Sequence, residues 1–139
     1  MKRTTVTALS FAFALFLAAP SVTQAQTKSP PGGTYKAVST LVPLPNFIPG
    51  LGTLFVDPAT LPAGPFLAYD HQGSLVSSIY MIPLKDMNAQ KNFESLKVAH
   101  EKVDHVDIMY NAGHPGVAEP HYHITLWYVS PSAAAKLSK

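Results

Sequence analysis

The segment PFLAYDHQGSLVSSIYMI, residues 65–82, decides the fold of this chain. It holds two runs rich in aromatic and apolar residues, FLAY and SLVSSIYMI, joined by a short polar turn. Two runs of this kind around a turn that contains glycine predict a β-hairpin. We expect the turn at residues 70–73, with Gly73 supplying the positive φ that such turns need. His71 is most simply an exposed residue of this turn.

Further strands are predicted on both sides of this hairpin. Residues 52–58, GTLFVDP, form a short apolar strand that ends at Pro58, and residues 35–44 could form another. Downstream, VDHVDIMY at 103–110 alternates between two faces, and HYHITLWYV at 121–129 has the composition of a strand. The chain is therefore predicted to be a mainly β domain, an antiparallel sandwich or a partly closed barrel, with one short α-helix.

The predicted helix lies within DMNAQKNFESLKVAH, residues 86–100. Its apolar residues recur at helical spacing, and Asp86 or Asn88 can cap its N-terminus. His100 is expected near its C-terminal end, as a capping or half-buried residue that the helix dipole favours.

The first 25 residues have the layout of a secretory signal peptide. Lys2 and Arg3 precede an apolar run from Ala8 to Ala19, and small residues follow up to Ala25. A membrane-spanning helix needs about 20 apolar residues, so this run is too short to be an anchor. We therefore predict cleavage after Ala25 and a periplasmic or secreted protein without membrane association.

The mature chain is predicted to hold a single domain. Residues 26–33 include TKSPPGG, a composition that suits neither helix nor sheet, and are expected to be a flexible lead-in. Residues 34–130 form the β-rich domain, and residues 131–139 are expected to be a flexible tail. A chain of 139 residues leaves little room for a second core.

The charge balance argues against nucleic acid as a partner. Of ten Lys and Arg residues, two belong to the predicted signal, which leaves eight against eight Asp and Glu residues. Nucleic-acid affinity comes largely from Lys and Arg that neutralise phosphates, and a neutral chain without a basic stripe lacks that attraction. The chain also has no cysteine, which excludes disulfides and thiolate metal ligands. Stability must then come from the core, from a bound ion or from partner subunits, as in a homo-oligomer.

Three histidines lie close together in GHPGVAEPHYH, residues 113–123. Residues two apart in a strand project from the same face about 6.6 Å apart, so His121 and His123 can converge on one ion. His114 precedes them in a loop that glycines and prolines can bend, which makes it the natural third ligand. Three imidazole nitrogens with an open fourth position suit zinc, copper or nickel and disfavour calcium and magnesium.

Three neighbouring residues form a second tier of candidates. Glu119 is an alternative oxygen donor, and His105 and Asp107 could reach the ion from the preceding strand, as a ligand or as a carboxylate that orients an imidazole. If the two strands pair symmetrically about their connecting loop, His105 lies opposite residue 126 or so. It would then be too far from His121 to share the same ion.

The block from Val103 to Val129 resembles an uncharacterised family of exported bacterial proteins. The resemblance rests above all on GHPG at 113–116 and PHYHITLWY at 120–128. Members of that family carry a G-H-P segment, a short spacer and then P-H-F-D-x-H-F-Y. The resemblance implies that the histidine-bearing loop and strand form one unit, but it implies no particular activity.

Two of the three histidines match this pattern residue by residue. His114 corresponds to the histidine of G-H-P, and His121 to the first histidine of the second segment. His123 stands where the pattern has aspartate, and Thr125 stands where it has its second histidine. Compared with the family pattern, the second histidine of this strand therefore stands two positions earlier.

Three interpretations of the histidines are open. The leading hypothesis is an exported module that binds a divalent transition metal, such as zinc or copper, or a small ligand through His114, His121 and His123. A second is a structural or oligomerisation domain, in which the histidines tie the loop to the sheet by hydrogen bonds. A third is a metal-dependent enzyme that uses the same residues. Only Glu119 is an obvious proton carrier, and the motifs H-E-x-x-H and G-x-S-x-G are absent, so the sequence favours binding over catalysis and assigns no catalytic residue.

Overall fold

One antiparallel sheet of seven strands forms the framework of the protein in this computed structural model, which describes residues 27–139. The strands are β1 Lys36–Ala37, β2 Phe47–Ile48, β3 Gly52–Val56, β4 Phe66–Tyr69, β5 Leu75–Pro83, β6 His105–Asn111 and β7 His121–Trp127. Their order across the sheet is β1-β3-β4-β5-β7-β6, and β2 also pairs with β3. The prediction of a mainly antiparallel β domain is confirmed, and its strands form one open sheet.

The predicted signal peptide lies outside the described residues. Within the described part of the chain, none of the helices has the length and apolar character needed to cross a membrane.

The predicted hairpin is confirmed and occupies the middle of the sheet. Strands β4 and β5 pair antiparallel, with Phe66 opposite Ile79. At the turn, the amide of Gly73 donates to the carbonyl of Asp70 over 3.0 Å, and Gly73 has a φ of 71°. The Asp70 carboxylate accepts a further hydrogen bond from the Ser74 amide over 2.8 Å. Every residue of both strands is buried, so this hairpin organises the core.

The sheet buries apolar side chains on both faces. On one face, Val56, Phe66 and Ile79 belong to a core that also includes Leu137 near the C-terminus. Segment 38–51, which contains a 3-10 turn at Val38–Thr40 and strand β2, packs against this core. On the other face, a smaller cluster forms from four buried residues, Leu67, Tyr69, Leu75 and Ala99.

The helix of the structure is shorter than the sequence predicts. Helix α1 spans Leu84–Asn88, and the chain from 89 to 104 contains neither helix nor strand. The hydroxyl of Tyr80 donates to the carbonyl of Lys97 over 2.5 Å, and Ala99 is buried in the smaller core. These tertiary contacts hold the segment against the sheet and override its helical periodicity. The expectation that His100 ends a helix is wrong, because His100 is an exposed residue of this segment.

Both ends of the described chain are held against the sheet, in contrast to the flexible lead-in and tail that the sequence suggested. The Ser29 amide donates to the carbonyl of Gly73 over 2.9 Å. At the other end, a second short helix, α2 Pro131–Ala134, is followed by a 3-10 turn at Ala135–Ser138. Leu137 is only 5% exposed, and its carbonyl accepts from the Gly50 amide over 2.8 Å. A buried leucine far from the core in sequence therefore anchors the tail.

The edge strand β6 leaves apolar side chains in solvent. Val106, Ile108 and Tyr110 are 51%, 66% and 56% exposed, and they alternate with the residues that face the histidine-bearing side of β7. The exposed apolar strip consequently lies on the opposite face of the sheet from His121 and His123.

Replacing Gly73 by valine is expected to lower the free energy of unfolding by roughly 1–3 kcal/mol, because a β-branched residue adopts a positive φ only with strain. A Cβ at this position has room, since the nearest atom, Cβ of Ser29, is 3.6 Å away. The backbone conformation alone causes the loss. Gly73→Asn is the matched control, because asparagine tolerates this region better. Urea unfolding of both variants measures the difference, and equal stabilities would contradict the turn geometry.

Candidate metal centre

His121 and His123 lie at the beginning of β7, which is paired on both sides. His121 is opposite Pro83 on β5 and Asn111 on β6, and His123 is opposite Met81 and Met109. Both histidines therefore point to the same face from a strand whose position and register are fixed by two neighbours.

A tight turn brings His114 back over the start of β7. The backbones of His114 and Val117 exchange two hydrogen bonds of 2.9 Å, with Pro115 and Gly116 between them. Proline and glycine are favoured at the two central positions of a type II turn, and Gly116 has a φ of 88°. A Cβ added at Gly116 would lie 2.7 Å from Cγ1 of Val42, so the turn also touches segment 38–51.

The three rings form one cluster. One ligand nitrogen from each of His114, His121 and His123 lies within 4.8 Å of the others. The Nε2 atoms of His121 and His123 are 3.0 Å apart. Nitrogens bound at about 2.1 Å to a tetrahedral ion are separated by about 3.4 Å, so the two closest nitrogens would need to move slightly apart and separations of up to 4.8 Å would need to shorten. Among the described residues, this cluster could hold a metal ion.

Backbone carbonyls orient two of the rings. Nδ1 of His121 donates to the carbonyl of Glu119 over 2.7 Å, and Nδ1 of His114 lies 3.0 Å from the carbonyl of Pro115. Because a carbonyl oxygen can only accept, the hydrogen of each neutral ring sits on Nδ1 and the lone pair sits on Nε2. Metal-ligating histidines usually donate their second ring nitrogen in this way.

Burial favours the neutral form of one ring of the cluster, that of His123. His121 is 0% exposed. Desolvation, with smaller contributions from the nearby His121 and His114, lowers the pKa of His123 to about 4. The imidazole of His123 is therefore neutral at neutral pH and needs no proton release before it binds a metal.

The structure places the second-tier candidates outside the cluster. His105 is opposite Trp127, close to the register that the symmetric pairing predicts, and its ring stacks on that indole at 5.9 Å. Asp107 accepts a hydrogen bond from Nε1 of Trp127 over 2.8 Å. The Glu119 carboxylate forms an exposed ion pair with Lys85 at 2.6 Å. Only the backbone of Glu119 contacts the histidine cluster, as the acceptor for His121.

His71 also lies apart from the cluster. It is exposed in the hairpin turn, and its ring stacks on Phe47 with 3.6 Å between centroids.

An apolar cavity beside the cluster was missed by the sequence reasoning. It has a volume of about 440 Å³, and His114 and His123 contribute to its lining. Much of the remaining lining comes from segment 38–51 and from strands β3 to β5. The only signal in the sequence is the proline-interrupted apolar run VSTLVPLPNFIPGL, and nothing in that run indicates which residues it faces.

Comparison with known proteins places the chain in a family. No family model matches it, and no curated protein matches it. A solved structure does match, that of the hypothetical protein TTHB210 from Thermus thermophilus, with 49% sequence identity and a TM-score of 0.62. The match covers 68% of this chain and 88% of that one. The chain therefore belongs to the same family as TTHB210, whose description as hypothetical assigns no activity.

The metal-free protein is expected to lose stability as the pH falls from 6.5 toward about 4, because the pKa of His123 drops from 6.5 in the unfolded chain to about 4 in the folded protein. In that window the unfolded chain binds a proton that the folded protein does not, so stability rises with pH. Urea unfolding across this range, with a chelator present, measures the effect. His123→Gln should show a shallower loss on acidification. The same acid dependence in parent and variant would show that His123 is not the responsible group.

Proposed function

We propose that this member of the TTHB210 family is an exported module that binds one divalent transition metal ion through His114, His121 and His123. The observation that carries the proposal is the convergence of three imidazole nitrogens within 4.8 Å on a doubly paired strand and a tight turn. The carbonyl partners of His121 and His114 add support, because they keep the lone pair of each neutral ring on Nε2, the nitrogen that would bind an ion.

The ligand set favours zinc or copper. All three donors are neutral nitrogens of intermediate softness, which suit these ions better than calcium or magnesium. Three protein ligands leave one position of a tetrahedral ion open, as in metal sites that accept a further small ligand. Copper(II) is expected to bind more tightly than zinc, in line with the general order of affinities for nitrogen sites.

Binding is favoured over catalysis as the role of this site. Glu119, the one proton carrier that the sequence suggested, directs its carboxylate to Lys85 rather than to the histidines. The structural alternative predicts that the same hydrogen bonds only tie the loop to β7. That alternative requires no metal, so a metal titration separates the two functions.

Export is proposed from the N-terminal sequence alone. Lys2 and Arg3, the apolar run that follows and the small residues up to Ala25 are typical of a cleaved signal peptide. The protein would then act in the periplasm or outside the cell.

Protein recovered from the periplasm or the culture medium is expected to begin at Gln26 or close to it, because Ala25 ends the small-residue segment of the signal. Intact-mass measurement of the exported protein checks this expectation. A mass that retains residues 1–25 would refute cleavage at this point.

Zinc is expected to stabilise the untagged protein by about 2.7 kcal/mol at a concentration one hundred times the dissociation constant. For a domain of this size, the melting temperature should rise by on the order of 10 °C. His114→Ala, His121→Ala and His123→Ala should each remove most of the rise, because each deletes a ligand. His71→Ala is the matched control and should retain it.

Calorimetric melting of each variant with and without zinc makes this comparison. The metal-free melting temperatures serve as a separate reference, because truncation of the buried His121 also removes packing. The metal proposal would be contradicted if zinc did not raise the melting temperature of the parent at neutral pH, or if the rise persisted in all three ligand variants.

A further inference from the structure

The cavity beside the histidine cluster has the size and character of a small-molecule site. Its volume of about 440 Å³ lies within the range of roughly 300–1,000 Å³ that is typical of ligand pockets. The wall is formed mainly by aliphatic and thioether side chains, including Val38, Val42, Leu44, Ile48, Leu54 and Met81.

The polar side chains that line this cavity belong to β6, to β7 and to the turn at His114. The lining includes His114, His123, Asn111 and Tyr110, and among the described residues it contains no Asp, Glu, Lys or Arg. The Asn111 carboxamide oxygen is already occupied, since it accepts from the Gly113 amide over 2.8 Å. The Tyr110 ring packs edge-to-face on Tyr122, which alternates with His121 and His123 along β7. The imidazoles of His114 and His123 are consequently the principal polar side chains that a bound molecule would meet.

The cavity is accessible from solvent. Leu41, Leu61 and Met109 contribute to its lining and are 44%, 47% and 63% exposed. Exposed apolar side chains at the entrance, leading to a buried apolar wall, favour entry of a molecule that is itself largely apolar.

The histidine cluster and the cavity share a border. His114 and His123 line the cavity, whereas the fully buried His121 does not. An ion held by all three rings would therefore border the cavity through His114 and His123, and three protein ligands would leave a tetrahedral ion one position for a further ligand.

We propose that the cavity binds a small hydrophobic carboxylate, with its apolar body against segment 38–51 and its carboxylate on the open position of the metal. This inference rests on the proposed metal-binding function. Neutral imidazoles leave the ion with its full positive charge, and within residues 27–139 no Lys or Arg lines the cavity to attract an anionic group instead. Transfer of the apolar body of the ligand from water to the apolar wall is favourable, because it removes apolar surface from water.

Isothermal titration with three probes tests this ligand class. The probes are 4-phenylbutyrate, 4-phenylbutan-1-ol with the same body but no carboxylate, and acetate with the carboxylate but no body. The zinc-loaded protein should bind 4-phenylbutyrate at least about tenfold more tightly than either other probe, because only that probe uses both the ion and the wall. Removal of zinc should lower the affinity of the protein for 4-phenylbutyrate by about the same factor.

A cavity-filling variant locates the binding. Leu44→Trp adds bulk to the wall and leaves all three histidines in place. The affinity for 4-phenylbutyrate should fall by about tenfold or more, while the affinity for zinc should change by less than about threefold. Val98→Trp is the matched control, because Val98 is 54% exposed and does not line the cavity. Retained zinc affinity in Leu44→Trp shows that this variant folds.

The outcomes separate the two proposals. Absence of zinc binding overturns the proposed function together with this inference. Normal zinc binding with equal affinities for acetate and 4-phenylbutyrate overturns the ligand class alone. The same holds if 4-phenylbutan-1-ol or the metal-free protein reproduces the binding of 4-phenylbutyrate, or if Leu44→Trp behaves like Val98→Trp.

Discussion

The pairing of β7 between β5 and β6 is the constraint on which the rest of the site depends. This double pairing fixes which side chains of β7 share a face, and a slip by one residue would exchange that face for the other. In the observed register, His121 and His123 face the same side as the apolar cavity wall. The tight turn at His114 then needs to place only one further ring. The cluster thus owes its geometry to backbone hydrogen bonds of the sheet.

Local patterns were sufficient for much of this fold. The hairpin of β4 and β5 follows from two β-rich runs around Gly73, and the strands that became β6 and β7 were visible from their alternation and composition. The failures depend on partners distant in sequence. Residues 89–104 are held by contacts such as the Tyr80 hydroxyl on the Lys97 carbonyl, and the tail is anchored by Leu137 in the core. No periodicity within either segment indicates those partners.

The same distinction separates the candidate residues that the structure brings together from those that it does not. His121 and His123 could be paired from sequence because their spacing alone determines their common face. Glu119 is just as near in sequence, yet its carboxylate pairs with Lys85 and only its carbonyl serves the cluster. The cavity was invisible because its wall combines segment 38–51 with strands that follow it in the chain. Residues whose roles depend on strand period were predictable, and those whose roles depend on loop packing were not.

The contact between Gly116 and Val42 connects the turn that presents His114 to the apolar wall of the cavity. Val42 belongs to the cavity wall, and the turn that presents His114 leaves no space for a single added carbon against it. A molecule that displaced this wall would shift the turn, and an ion that drew His114 inward would shift the wall. Any such effect must be reciprocal, since thermodynamic linkage requires each occupant to change the affinity of the other by the same factor. Gly116, a residue without a side chain, would thereby couple the cavity to the histidine cluster.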